Sequence, residues 1–189
     1  MKRQHILVSL LLPALVFLCD CHALLRRADV ELNVQVPATA DEREPRGAVT
    51  FHLLDADPIT LAMRAGDDEN EVSEMVHREH PKLRSLAGLL NARRREAYSL
   101  SSDVFLLLDQ SKPLWQPRVV QTVSIDRLGH ASFRRLKPGT YWIMGYVREP
   151  WAEAFWLQQL SVGSGATTVA LNQSNALYSK IVEARPKFE

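Results

Sequence analysis

The stretch 124–145, SIDRLGHASFRRLKPGTYWIMG, constrains the fold more than any other part of the chain. It predicts a turn followed by a strand. Asp126 and Gly129 are typical of a tight turn, because an Asp side chain bonds forward to backbone amides and Gly tolerates a positive φ. Residues 130–136 then alternate between side chains that would point to opposite faces, with Ala131 and Phe133 on the same side, which predicts a β-strand.

The second half of the stretch repeats the pattern of turn and strand. Lys137-Pro138-Gly139 predicts a turn, since Pro presets φ and Gly accepts the left-handed conformation of a type II turn. Residues 140–147 are rich in aromatic and β-branched side chains, which favours a strong strand. Tyr141 follows the Pro-Gly turn, so we expect a buried ring whose hydroxyl bonds nearby backbone, as in a tyrosine corner.

This spacing, D-x-x-G-x-x-x-F-x-x-L-x-P-G-x-Y, resembles the carboxypeptidase regulatory-like domain, a transthyretin-like or prealbumin-like β-sandwich. The matching positions are Asp126, Gly129, Phe133, Leu136, Pro138, Gly139 and Tyr141. The chain departs from the family in having Ile125 where Thr usually precedes the Asp. The resemblance covers residues 119–172, with a first half at 30–54. It implies a structural or binding appendage and carries over no catalytic residue.

Further strand-like stretches fit the same architecture at the spacing of a sandwich. They lie at residues 30–36, 48–54, 118–125, 155–162 and 167–171. The continuous apolar run DVFLLLD, 103–109, predicts a central strand, and residues 59–63 either extend the second strand or begin an irregular crossing. The predicted fold class is therefore mainly β: a single antiparallel transthyretin-like or Ig-like β-sandwich with a two-helix insert.

The predicted insert covers about residues 66–97. Its first helix begins with the acidic run 67–69, where the helix dipole favours negative charge. The second helix has an apolar stripe at helical spacing, formed by Leu83, Leu86, Leu89 and Leu90, and the arginines 93–95 close it with cations at its negative end. The family usually has a short loop here, so the insert is the chain's main departure from the family pattern.

Residues 1–23 have the form of a targeting segment. Lys2 and Arg3 precede the apolar run 6–19, which is too short to span a bilayer, and cleavage is expected after Ala23. We predict a secreted or periplasmic protein with a sandwich domain at 24–175 and a tail at 176–189. Both cysteines precede the cut, so the mature chain would form no disulfide.

The alternative is a lipid-anchored envelope protein acylated at Cys19 or Cys21. Leu18 and Asp20 precede these cysteines, whereas a lipobox has a small residue there. This disfavours the anchor without excluding a lipoprotein subunit of an envelope assembly.

Charge and composition narrow the class of partner. A net charge of +1 gives no case for binding nucleic acid, and the sequence holds no phosphate-binding glycine motif. With 46% apolar residues the chain can bury one good core. We predict a protein or glycan partner in the envelope or outside the cell, no cofactor and no transmembrane helix after signal cleavage.

Four residues are the candidates for binding. Trp115 and Trp151 are predicted to lie in loops, where aromatic side chains serve recognition more often than they do in strands. Arg93 and Arg94 could bind an anion, although nearby acidic residues favour a solvated helix face.

The sequence also holds a weak metal alternative in His77 and His80. They lie three residues apart on a predicted helix beside Glu79, so zinc binding in a metal-dependent hydrolase is conceivable. The string HREH matches no zinc-hydrolase motif, and a solvated helix end is the favoured interpretation of the pair. The favoured prediction is an exported, non-enzymatic binding or structural module.

Overall fold

A computed structural model describes residues 27–36, 49–95, 103–149 and 152–181. Its strands are Ala28–Val34 (β1), Thr50–Leu54 (β2), Val119–Ser124 (β3), His130–Leu136 (β4), Gly139–Glu149 (β5), Ala152–Val162 (β6), Gly165–Leu171 (β7) and Tyr178–Ile181 (β8). Its α-helices are Pro58–Met63 (α1), Glu71–Glu79 (α2), Leu83–Arg95 (α3), Asp103–Gln110 (α4) and Lys112–Trp115 (α5). Trp151 and the predicted targeting segment 1–23, with its cysteines, lie outside the described residues.

The strands form two sheets, which confirms the predicted mainly β sandwich. One sheet has the order β4-β1-β7 and the other the order β3-β2-β5-β6-β8. β1 and β7 run parallel, in register from Ala28 opposite Gly165 to Val34 opposite Leu171. The other pairs are antiparallel. One parallel pair therefore departs from the all-antiparallel prediction.

The period-2 alternation of the strands builds the core between the sheets. Phe51 and Leu53 of β2 and Ile143 of β5 turn inward and are fully buried. Trp156 of β6 lies beside Phe51, with ring centroids 5.9 Å apart, and its indole N–H donates to the carbonyl of Asn172 at 2.8 Å. This pairing gives the sandwich a rigid aromatic centre.

The opposite face of the five-stranded sheet, which we call the outer face, is also apolar. Leu54, Met144, Phe155 and Leu157 alternate with the inward side chains and are buried under the helices. The helices meet them with Val76, Leu83, Ala87, Leu90, Val104 and Leu107. Burying each such aliphatic side chain contributes about 1.5–3 kcal/mol, so covering this face is a large part of the folding energy. The molecule thus has three layers: sheet, sheet and helices.

Two segments differ from the predictions and form helices: 103–109, predicted as a central strand, and 59–63, predicted either to extend the second strand or to begin an irregular crossing. Residues 103–109 form α4, and residues 59–63 lie in α1. In α4, Val104, Leu107 and Leu108 are buried while Leu106 is 51% exposed, which is a helical face and not a strand alternation. The described helices accordingly begin at Pro58 and end at Trp115, on both sides of the predicted 66–97.

The chain after Asn175, predicted to be a tail, contributes an edge strand. β8 pairs with β6 from Ala152 opposite Ile181 to Phe155 opposite Tyr178. Tyr178 is buried, and its ring meets Phe105 of α4 edge-on at 5.7 Å. β8 therefore extends the outer face towards the helices.

The turn between β3 and β4 is built as the sequence predicts. The Asp126 carboxylate accepts hydrogen bonds from the amides of His130 at 2.8 Å and Leu128 at 2.9 Å. These bonds, the one from His130 foremost, hold the pKa of Asp126 below its ordinary value. Gly129 has a φ of 81°, and its carbonyl accepts from the amide of Val34 at 2.8 Å.

The tyrosine corner is confirmed as well. The Tyr141 hydroxyl donates to the carbonyl of Lys137 at 2.9 Å, and the ring is buried. This bond ties the start of β5 back to the Lys-Pro-Gly turn, so the hairpin enters the core at a fixed angle.

Replacing Gly129 tests the turn. We expect Gly129→Ala to destabilise the protein by at least about 2 kcal/mol, because a left-handed φ is strained for Ala. A Cβ there would also overlap the carbonyl oxygen of Val34. Gly163→Ala is the matched control, since Gly163 has open space around its Cβ position. Urea denaturation of both variants measures the difference, and equal midpoints would contradict the account.

Candidate functional site

A groove of about 780 Å³ lies between the outer face and helices α4 and α5. We call it the outer groove. It is lined by His52, Phe105, Leu106, Leu108, Asp109, Lys112, Trp115, Gln116, Val119, Thr122, Tyr146 and Arg148. The helices cover the apolar part of the outer face but leave Tyr146, which points outward from β5, 47% exposed. The outer groove thus lies along the edge of the helical layer, where the helices no longer cover the outer face.

A short connection between α4 and α5 shapes one wall. The buried Ser111 joins the helices, and its hydroxyl donates to the carbonyl of Leu107 at 2.7 Å. Pro113 is the second residue of α5, in the first turn, where the helix needs no amide donor. The Trp115 indole N–H donates to the carbonyl of Leu108 at 2.9 Å, which locks its ring across the two helices. The wall is therefore rigid.

His52 lies on the floor, with its ring centroid 5.7 Å from that of Trp115. It is paired with Thr122 across β2 and β3, and its Nδ1 lies 2.9 Å from the Thr122 hydroxyl oxygen. Burial, and secondarily the charge of Lys112, lowers the pKa of His52 below its ordinary value. The imidazole is therefore neutral at neutral pH. Its other nitrogen makes no hydrogen bond to the residues that the structure describes.

The far end of the outer groove is an aromatic and charged cluster. The rings of Phe105 and Tyr146 meet edge-on at 6.1 Å, and the Arg148 guanidinium lies 5.4 Å from the Phe105 centroid. Arg148 Nε is 3.5 Å from Oε1 of Glu153, whose Oε2 accepts from the Tyr178 hydroxyl at 2.8 Å. Burial and this carboxylate raise the pKa of Tyr178 to about 12. Cation–π contact and ion pair together hold the arginine in place.

The two other charged side chains of the lining are not engaged in ion pairs with the described residues. Lys112 and Asp109 form no ion pair with any residue in the described part of the chain. The lining thus combines rigid rings with polar groups whose bonding capacity is unused. Such a concave surface with a few placed polar groups is the usual form of a binding site.

Of the predicted binding residues that the structure describes, Trp115 alone lines the outer groove. The prediction that it lies in a loop is wrong: it ends α5 and is only 7% exposed. Its indole N–H already donates to the carbonyl of Leu108, so the side chain serves as a wall of the outer groove. Trp151 lies outside the described residues.

The predicted arginine pair lies elsewhere. Arg94 Nη2 donates to Oδ2 of Asp57 at 2.9 Å and to the amide oxygen of Asn91 at 2.9 Å. Asp57 in turn caps α1, since its Oδ1 accepts from the amide of Ile59 at 3.0 Å. Arg94 therefore joins α3 to α1, and Arg93, half-buried beside it, does not line the outer groove.

His77 and His80 lie around the C-terminal end of α2. The His77 ring packs on Gly66, where an added Cβ would come within 2.8 Å of it. The backbone amide of His80 donates to the carbonyl of Val76 at 2.9 Å and closes the helix. Across residues 27–36, 49–95, 103–149 and 152–181, no three His, Cys, Asp or Glu side chains gather in a way that could hold a metal ion.

Sequence reasoning missed the strand residues His52, Thr122, Tyr146 and Arg148. The signal was present in β2 and β5, because these positions alternate with core residues and so must point outward. What the alternation could not show is that helices would overhang these side chains and turn an exposed row into a groove.

Comparisons with solved structures give distant similarities. A candidate carbohydrate-binding protein from Pseudomonas aeruginosa matches over 79% of this chain and 90% of its own, with 12% identity and a TM-score of 0.41. The minor pilin GBS52 of Streptococcus agalactiae matches over 88% and 49%, with 13% identity and a TM-score of 0.38. The major pilin SpaD of Corynebacterium diphtheriae matches over 78% and 30%, with 11% identity and a TM-score of 0.35.

No protein-family model matches the sequence, and no curated protein matches it. At the TM-scores of the structural matches, no ligand and no activity carries over to this chain. Among the described helices, none combines the length and the apolar character needed to cross a membrane.

The ion pair of Arg94 predicts a structural effect. Asp57→Ala should lower the free energy of unfolding by about 1.5–3 kcal/mol, because it removes a helix cap and leaves a half-buried guanidinium unpaired. Asp67→Ala is the control, since the Asp67–Arg84 pair is about half exposed on both sides and such pairs are worth about 0–1 kcal/mol. Urea denaturation measures the free energy of unfolding of both variants. An equal decrease in the two would refute the structural role of the Asp57–Arg94 pair.

Titration of His52 tests the electrostatics of the floor. Because its folded-state pKa is lowered, the unfolded chain binds this proton at higher pH than the folded chain. The free energy of unfolding is therefore undiminished above the ordinary histidine pKa of 6.5 and falls as the pH drops below it. We expect ring-proton NMR to give a midpoint below 6.5 that moves upward in Lys112→Met. A midpoint at or above 6.5 would contradict the burial of this ring.

Proposed function

We propose that the protein is an exported, non-enzymatic binding module of carboxypeptidase regulatory-like type, and that its ligand lies in the outer groove. The observation that supports the proposal most directly is the groove itself. Its volume of about 780 Å³ is within the range of ligand sites. Its walls are fixed by the Trp115 and Ser111 hydrogen bonds before any ligand arrives. A preformed wall lowers the ordering cost of binding.

The polar groups of the outer groove support binding in preference to catalysis. His52 is held at Nδ1 by a hydroxyl, Thr122, and no described carboxylate orients it as a general base. The two cations, Lys112 and Arg148, are suited to holding a ligand by charge. A glycan or a segment of another protein is the class of partner that the predicted export and the wide groove favour.

The helical region supplies the groove's distinctive wall. α4 and α5 occupy the place where the family's sandwich has a shorter connection, so the recognition surface would be specific to this chain. The recognition mechanism is then contact of the ligand with both the outer face and the helical overhang.

Filling the outer groove tests the proposal. Thr122→Trp places a bulky side chain on the groove floor, whereas the control Thr168→Trp places the same side chain on an exposed position of β7, in the other sheet. C-terminally tagged protein and both variants would be used to capture partners from the host's envelope and culture fluid, after circular dichroism shows that all three are folded. We expect Thr122→Trp to lose at least about tenfold in affinity, roughly 1.4 kcal/mol, and the control to lose none. Equal capture by all three proteins would refute the groove as the binding site.

A further inference from the structure

The charge of the outer groove points to an acidic occupant. Its lining holds two cations, Lys112 and Arg148, and one carboxylate, Asp109, while Glu153, outside the lining, offsets part of the charge of Arg148. Lys112 has no ion-pair partner within the described ranges. Arg148 faces Glu153 through Nε, and its two terminal nitrogens make no hydrogen bond to the described residues. These free donors are the groups that bind carboxylates most strongly.

The ring of Tyr146 offers a stacking surface beside these cations. Its edge-on contact with Phe105 holds it in place, and Phe105 is itself held beneath Arg148 and against Tyr178. Tyr146 nevertheless remains 47% exposed. An immobilised, half-exposed aromatic ring costs little conformational entropy when a ligand stacks on it.

The rest of the lining favours a ligand that carries many hydroxyl groups. Half of the twelve lining residues are polar: His52, Asp109, Lys112, Gln116, Thr122 and Arg148. A purely apolar ligand would leave the free polar groups among them, such as the Lys112 ammonium and the terminal nitrogens of Arg148, without hydrogen bonds to the ligand, which disfavours its binding. A polyhydroxylated ring satisfies them and presents an apolar face to Tyr146.

We propose that the outer groove binds an acidic saccharide, a glycan that carries uronic acid units, with a sugar ring on Tyr146 and a carboxylate held by Lys112 and Arg148. This inference rests on the proposed function and names the ligand class of the same site. An acidic peptide shares the charge but lacks the rigid sugar face that matches Tyr146, so it is a competing outcome of the test.

The test is calorimetric titration of the purified protein with three probes: trigalacturonate, the neutral maltotriose and triglutamate. We expect trigalacturonate to bind at least about tenfold more tightly than the other two, a difference of roughly 1.4 kcal/mol. Raising the salt concentration should weaken this binding, because screening acts on the charge pairs.

Variants assign the roles. Lys112→Gln and Arg148→Gln should each weaken trigalacturonate binding about five- to tenfold, and Tyr146→Ala should weaken it to a similar extent. Lys82→Gln is the matched control, because Lys82 is an exposed lysine of the helical region that does not line the outer groove. Lys112 is exposed and makes no structural bond, so Lys112→Gln stays informative even if Arg148→Gln fails to fold. Unchanged binding in Lys112→Gln would overturn the proposal.

The outcomes separate the two proposals. Equal binding of maltotriose overturns the acidic preference, and equal binding of triglutamate overturns the saccharide preference. If no probe binds but capture from the envelope is still lost in Thr122→Trp, the acidic saccharide is wrong while the groove remains the binding site. If capture is also unaffected by Thr122→Trp, both proposals fail.

Discussion

The five-stranded sheet is apolar on both faces, and the rest of the architecture depends on covering them. The three-stranded sheet covers one face around Phe51 and Trp156. The outer face, with Met144 and Phe155 fully buried, requires a second layer, which the helices between β2 and β3 supply. Each buried aliphatic or aromatic side chain contributes about 1.5–3 kcal/mol. The helical layer is therefore required for the stability of the sandwich.

The outer groove follows from the incomplete reach of that layer. The helices bury the apolar positions and stop where the outward side chains of β2, β3 and β5 become polar or amphipathic: His52, Thr122, Tyr146 and Arg148. The side chains at the edge of the helical layer are held in place by contacts within the protein. Examples are the hydrogen bond from Trp115 to Leu108 and the position of Arg148 over the Phe105 ring. The edge of a stabilising layer thereby becomes a preorganised surface with unused hydrogen-bonding capacity, which is the physical basis for proposing it as a binding site.

Local sequence was enough to predict the hairpin around Asp126, Gly129 and Tyr141, because turn chemistry and period-2 alternation act within a few residues. It was not enough for DVFLLLD, since a short continuous apolar run fits a buried strand and a buried helix equally well. The choice is made by tertiary packing, in which Val104, Leu107 and Leu108 all meet the outer face. The outer groove could not be predicted for the same reason: its wall depends on that helix, and His52 becomes half-buried only once α5 lies beside it.

The measurement that tests the account most directly is amide hydrogen exchange of the protein with and without its captured partner. Binding in the outer groove predicts slower exchange in α4 and α5 and in the stretches of β2, β3 and β5 that line it, with the outer surface of the three-stranded sheet unchanged. Protection confined to the three-stranded sheet, or to the exposed side of α2, would contradict the central claim that the margin of the helical layer is the recognition site.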